Sequence, residues 1–436
     1  MIARAFPPFL PIGHSIRVVK FIKYLPALGW LPVVLTVDDR SEYETLRKVG
    51  SETLLSEIGS EVKIYQTSAG ERSLKSLETE RRFAQSNRLA AAIAWILHKA
   101  YYWVYRNLFL PDEYVPWLPF AVKSGKEIIK REAIDVIFTT CPPFSALLVG
   151  VFLKIFTGKP LILDYRDDWI DTPWYQSKPG IRRLIERKLE SWVVRTADKV
   201  ILVTEWSKDL FLKRYPKESV DKFVFISNGC DLDELKRLRN LPKPSPNQKF
   251  TILHAGSLNV GKFWGRSPMG VFQAIQKIIK ENTGMAEKLT LTFAGDLPEE
   301  YQQLAEGLGL SSTIKGLGHL SHEEALRLIR AADLLLAINY DGWASLIPAK
   351  LYEYWAVGGP PILLLSYGGA AAEFIKKHNL GFTAEPYDSD KIQRVILDVY
   401  HQEKAGSPIR VKSAGIEAFN RQALAVKLAQ VLSNIS

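Results

Sequence analysis

Apolar, β-branched runs recur through this chain in two sets, and the recurrence limits the folds open to it. "LPVVLTV" (31–37), "DVIFTT" (135–140), "PLILDY" (160–165), "KVILVT" (199–204) and "KFVFIS" (222–227) alternate with longer amphipathic stretches. "FTILHAG" (250–256), "LTLTFAG" (289–295), "DLLLAIN" (333–339) and "PPILLLS" (360–366) then restart the pattern. Strands that are apolar on both faces belong in a parallel sheet covered by helices on both sides. Between the sets, "NLPKPSPNQ" (240–248) is proline-rich and polar and reads as a linker. A length of 436 residues, 47% hydrophobic, suffices for two cores. The expectation is α/β: two doubly wound Rossmann-like domains, 1–240 and 250–412, joined by 241–249, with 413–436 a terminal helix returning to the first domain. Two such domains facing each other leave a cleft at strand C-terminal ends, where open α/β sheets bind ligands.

The charge is unevenly spread. Residues 1–250 hold 39 Lys and Arg against 29 Asp and Glu, while the remainder holds 18 of each. The excess in the first half fits either an anionic partner, such as an acidic membrane face or nucleic acid, or a solvated surface. No basic-aromatic repeat of a nucleic-acid module occurs, so nucleic acid is not expected as a partner. Two cysteines, Cys141 and Cys230, lack metal-ligand spacing, which argues against a metal site or disulfide framework and fits a reducing cytoplasm. Prolines interrupt "MIARAFPPFLPIGHS" where a signal peptide needs a continuous apolar core, and no apolar run reaches transmembrane length. The stretch 89–120 comes nearest; it reads either as an interfacial segment or as a buried helix. A cytoplasmic protein, peripheral at the inner face of the membrane, is the expectation.

The strand ends carry the chemistry. "FTILHAGSLNVGKFWGRSPMG" runs from a strand into a turn with Gly256, Ser257 and Gly261, followed by Lys262 and Arg266. Small residues let backbone amides approach an anion, and the cations add full charge. "PAKLYEYWAVGGPPIL" (348–363) reads as a short helix with Lys350 and Glu353 on one face. Lys350 can reach a phosphate and Glu353 can accept ribose or hexose hydroxyls, or the two form a surface pair of little energetic weight. "LSYGGAAAEF" (365–374) adds Gly368, Gly369 and Glu373. Three such turns in one domain would make a nucleotide-diphosphate pocket. Neither GxGxxG after a strand nor GxxxxGK[ST] occurs, which argues against a dinucleotide oxidoreductase and a P-loop enzyme. In "RDDW" (166–169), Asp167 is either an acid or base or a helix cap; Arg166 stays protonated and cannot be a base.

Over nearly its whole length the chain resembles the GT-B glycosyltransferases of the large retaining group called family 4, in particular bacterial polysaccharide transferases. The similarity is carried by "FPPFLPIGHSIRVVKFIKYLPALGWLPVVLT", "DVIFTTCPPFSALLVGVFLKIFTGKPLILDYRDDW", "VFISNGCDLDEL", "GHLSHEEALRLIRAADLLLAIN" and, most specifically, "IPAKLYEYWAVGGPPIL". The resemblance implies that Glu353 holds the donor ribose, that Lys350 stands by the sugar nucleotide and that Gly13 lies in the N-terminal loop that approaches substrate. The chain departs from many relatives at Ser345, where they carry a second acid, and at Ser257, where they carry an arginine that Arg266 replaces here. At Arg166 some relatives have a histidine.

The implied reaction is retaining, metal-independent transfer from a nucleotide-diphosphate sugar, a substrate rather than a cofactor, to a saccharide or lipid-linked acceptor in cell-surface polysaccharide biosynthesis. Lys350, Arg266 and Asp167 are the expected catalytic residues. Gly13, Gly256, Ser257, Lys262, Glu353, Gly368, Gly369 and Glu373 are the expected substrate-binding ones. A sugar-nucleotide epimerase on the same scaffold is the alternative, followed by a basic nucleic-acid-binding protein.

Overall fold

A computed structural model of the chain describes residues 1–7, 12–38, 54–70, 109–239, 249–256, 258 and 266–435, and all their side chains except those of 12–14 and 236–239. Contacts divide it into two compact units: Met1–Ile170, Lys178–Ser227 and Arg421–Ser436; and Asp171–Ser177 with Asn228–Asn420.

In the first unit, β1 (Val33–Asp38) pairs β2 (Lys63–Ser68). Strands β3 (Ile137–Cys141), β4 (Leu161–Tyr165), β5 (Lys199–Leu202) and β6 (Phe223–Phe225) follow one another, every pair parallel. The first residues stitch the two sets together. The Ile2 amide donates to the Phe138 carbonyl at 2.7 Å and the Ala3 amide to the Leu35 carbonyl at 3.1 Å. β3 and β4 are buried at every position, as their unbroken apolar runs require.

Four helices of this unit matter below: α1 (Ile12–Tyr24), α2 (Leu118–Arg131), α3 (Ser145–Thr157) and α4 (Gly180–Thr196). The terminal helix Arg421–Ser433 places Leu424 and Leu428 in one cluster with Phe21 of α1, Phe138 and Ile162. Arg17 of α1 is buried and fully engaged. Its Nη2 lies 3.0 Å from Asp164 Oδ1, and it donates to the carbonyls of Ile226 and Ser227 beyond β6. Thr140 donates to the other Asp164 oxygen at 2.8 Å, which completes a buried ion pair of the kind that needs hydrogen bonds to offset its desolvation.

The second unit contains β7 (Phe250–Ala255), β8 (Leu289–Ala294), β9 (Ile314–Gly316), β10 (Leu334–Ile338), β11 (Ile362–Leu365) and β12 (Gly381–Ala384). Its sheet is parallel throughout, in the order β12-β11-β10-β7-β8-β9. Alternate residues of β10 enter opposite cores: Leu334, Leu336 and Ile338 join one cluster, Leu335 and Ala337 the other. Strand order reverses between β7 and β10, which makes their C-terminal ends the topological switch point.

Two sequence readings are corrected here. The division between units falls at Ser227–Asn228 rather than at 240, because Cys230 and Leu235 pack in the second unit's core with Leu253 and Trp355, and the Cys230 amide donates to the Phe419 carbonyl. Residues 413–420 and Asp171–Ser177 likewise count with the second unit. Most of the linker stretch, and 89–108 of the aromatic-basic stretch, lie outside the described residues. Among those described, no helix is long and apolar enough to cross a membrane.

Candidate active site

β7 ends in His254, Ala255 and Gly256 at the switch point, and each is held by helix α5 (Lys350–Val357) or a neighbouring strand. His254 is fully buried, with Nδ1 3.0 Å from the Leu336 carbonyl. A carbonyl only accepts, so Nδ1 carries the hydrogen and Nε2 offers a lone pair to Lys350 Nζ, 3.1 Å away. Burial pushes the His254 pKa well down, and Lys350 and Arg266 add to the effect, so the ring is neutral.

Pro348 precedes α5, where its missing amide hydrogen costs nothing, and Lys350 opens the helix. Lys350 Nζ donates to the Ala255 carbonyl at 2.5 Å, while Tyr354, one turn along, accepts the Ala255 amide at 2.8 Å. One helix face thus binds both polar groups of the last strand residue. Burial, then the charge of Arg266, drives the Lys350 pKa well down, and Glu353 opposes the shift. Its two contacts need only two N–H hydrogens, so the neutral amine makes them as well as the ammonium does.

Gly256 has a φ of +106°, and a Cβ there would sit 3.1 Å from Lys350 Nζ. Its amide is already donated to the Ala294 carbonyl at 2.8 Å, so the expectation that this amide binds an anion is corrected. Gly256 contributes room for the lysine instead. Glu353 is half-buried and has no hydrogen-bonding or ionic partner among the described residues.

Sequence reasoning missed a set of aromatic and amide groups around β10. Among the described residues, the Arg266 guanidinium lies 4.3 Å over the Tyr340 ring and three buried atoms of this set lack a hydrogen-bond partner, the first being Arg266 Nε. Asn339 Oδ1 and Trp343 Nε1, in residues 2% and 6% exposed, are also unpartnered. Trp343 packs edge-on to Trp174 at 4.7 Å and is tilted against Tyr340 at 6.0 Å. A sequence signal existed for His254 alone, an ionisable residue inside a mainly apolar strand.

Gly368 and Gly369, with φ of +105° and +81°, form the turn before α6 (Ala370–Lys377). The Ala370 amide donates to the Ala344 carbonyl at 2.7 Å, and a side chain at Gly369 would run into that carbonyl. Glu373 stands exposed in the first turn of α6. Gly13 falls within the first turn of α1, in a helix rather than a loop. Ser257, Gly261 and Lys262 lie outside the described residues.

Asp167 belongs to the first unit, in the bend after β4. The following helix, Pro173–Gln176, takes Thr172 as its N-cap, so Asp167 does not cap it. Its neighbours are engaged: Arg166 donates to the Cys141 and Pro142 carbonyls at 3.0 and 2.8 Å, and Asp168 accepts from Ser207 at 3.2 Å. Asp167 has no hydrogen-bond partner among the described residues. Burial raises its pKa to about 6, against the pull of Arg166 and with a small push from Asp168.

Two parallel doubly wound units, with a buried lysine and a half-buried glutamate one turn apart at a switch point, are the architecture of the GT-B class of glycosyltransferases. The family model "Glycosyltransferase Family 4" matches residues 55–234, and "Glycosyl transferases group 1" matches 245–417. The chain belongs to the family 4-like glycosyltransferases. A glycosyltransferase from Rickettsia africae is similar over 100% of this chain and 97% of its own, at 16% identity and a TM-score of 0.65. Anabaena HepE, solved with UDP and glucose, is similar over 96% and 95%, at 16% identity and a TM-score of 0.61. An enzyme described as a UDP-N-acetylglucosamine 2-epimerase, from Listeria monocytogenes, covers 96% and 92% at 13% identity and a TM-score of 0.53. These likenesses establish the fold. No curated protein matches the sequence.

Proposed function

We propose that the protein transfers a hexose from a nucleotide-diphosphate sugar, with retention of configuration and without a metal, to a saccharide or lipid-linked acceptor in cell-surface polysaccharide biosynthesis. The observation that carries the reading is the pairing on α5 of Lys350, buried beside Gly256, with Glu353, a half-buried carboxylate that makes no hydrogen bond or salt bridge among the described residues. UDP and UDP-glucose complexes of the Anabaena neighbour support a nucleotide-sugar donor.

In this reading Glu353 accepts the ribose hydroxyls, and Lys350 and Arg266 face the diphosphate. As the bond from the sugar's anomeric carbon to the diphosphate oxygen breaks, negative charge grows on the leaving group; Arg266 stabilises it as a guanidinium, and Lys350 does so once the diphosphate's charge returns it to the ammonium, whose third hydrogen is free for a phosphate oxygen, the logic of an oxyanion hole. The acceptor hydroxyl oxygen bonds to the anomeric carbon and loses its proton, to the leaving phosphate oxygen or to Asp167. Side-chain cations supply the positive charge that a metal would otherwise bring.

The test incubates the protein with a panel of nucleotide sugars and candidate acceptors and analyses the products. Release of nucleoside diphosphate with a new glycosidic bond, the anomeric configuration retained, is expected. An altered sugar still attached to its nucleotide, in the absence of acceptor, would establish epimerisation instead. Absence of both products across a broad panel would overturn the transferase reading.

A further inference from the structure

Helix α4 is turned inside out. Its ionic residues Arg182, Glu186 and Glu190 face the interior, both glutamates without exposure, while Ile181, Leu184, Ile185 and Trp192 are 75%, 55%, 43% and 37% exposed. Inside, Glu186 accepts from Arg182 at 2.7 Å, Lys178 at 2.7 Å and the Trp169 indole at 3.1 Å. Outside, the apolar residues recur at the three- and four-residue spacing that makes one stripe along a helix. A helix facing only water places these two sets the other way round.

The stripe continues beyond α4. The Trp192 ring lies 5.7 Å from Phe152 of α3, Phe152 stacks on Phe156 at 6.2 Å, and Lys126 of α2 sits 5.0 Å from the Phe156 ring. Ile155 and Phe156 are more than half exposed. Arg187, Lys188 and Arg195 are exposed on α4, and both of that helix's acids are buried, so its outer face carries positive charge only.

We propose that this face of the first unit docks on an anionic lipid bilayer, with Ile181, Leu184, Ile185 and Trp192 entering the headgroup boundary and the cations meeting lipid phosphates. Charge complementarity selects the occupant. Lys188 and Arg195 lie at helical spacing within the apolar stripe, an arrangement suited to long cationic side chains reaching up to headgroups. The whole net charge of the chain falls in the part that carries this face. The docking stands independently of sugar transfer, and the transfer reading only supplies its use, access to a lipid-linked acceptor.

The test is co-sedimentation with vesicles of phosphatidylglycerol and phosphatidylcholine, or of phosphatidylcholine alone. It uses the wild type, Ile181→Asp with Leu184→Asp, and Lys188→Glu with Arg195→Glu. Melting temperature, oligomeric state and nucleotide-sugar response are read in parallel. The wild type should bind the anionic vesicles in a salt-sensitive way, and each double variant should bind roughly tenfold or more weakly, with melting temperature and nucleotide-sugar response unchanged. Failure of the wild type to bind, or equal binding by the apolar variant, would overturn the proposal. A variant melting as low as a core mutant would mean that protein already covers the face. A wild-type dimer turned monomeric by the substitutions, with lipid binding intact, would assign the face to a second copy.

Discussion

Asp167 shows how the burial of one carboxyl group ties stability to pH. Its pKa of about 6 means that the folded protein keeps, between roughly pH 4 and 6, a proton that the unfolded chain has already lost. Stability therefore falls as pH rises through that window, by at most about 3 kcal/mol, and stays lowered above it. Asp167→Asn removes the titrating group. It should raise the melting temperature at pH 8, change it little at pH 4, and lower transfer activity if the carboxylate takes the acceptor proton. Parallel melting curves for wild type and variant at the two pH values check this; equal shifts at both would contradict the burial argument.

At the scale of elements, α4 supplies the matching stability test. Glu186→Ala would leave Arg182 buried without its carboxylate and should cost about 3–5 kcal/mol in denaturant unfolding. Replacing Lys178, Arg182 and Glu186 together by apolar residues of similar size should cost much less, whereas an equal loss would contradict the argument that an orphaned buried charge causes the destabilisation. Burial also decided which elements were legible in the sequence. Strands buried on both faces, such as β4 and β10, announce themselves as unbroken apolar runs. β2 is exposed at most positions, and β9 and β12 are three- and four-residue strands at the edge of their sheet. Their sequences "KIYQTS", "IKG" and "GFTA" carry no such run. Met1–Ala3 was missed for another reason, since three residues are too few to show a period.

For the whole molecule, sequence and structure meet most closely at α5. The sequence placed Lys350 and Glu353 on one face, and the structure shows why Tyr354 stands beside them: it and Lys350 lock the end of β7. What the sequence could not show is which polar atoms are left over. The glycine turn at 256 reads as an anion-binding amide, yet that amide is bonded to the Ala294 carbonyl, and nothing in the sequence marks the buried atoms of Asn339 and Trp343 that lack partners among the described residues. Such leftovers depend on residues distant in sequence. The most direct test of the central claim is calorimetric titration of nucleoside diphosphates and their sugars into wild type and Glu353→Ala. The account predicts a ligand that binds the wild type and binds the variant at least roughly 150-fold more weakly, the loss of about two charge-assisted hydrogen bonds. Equal affinity in the two proteins would contradict it.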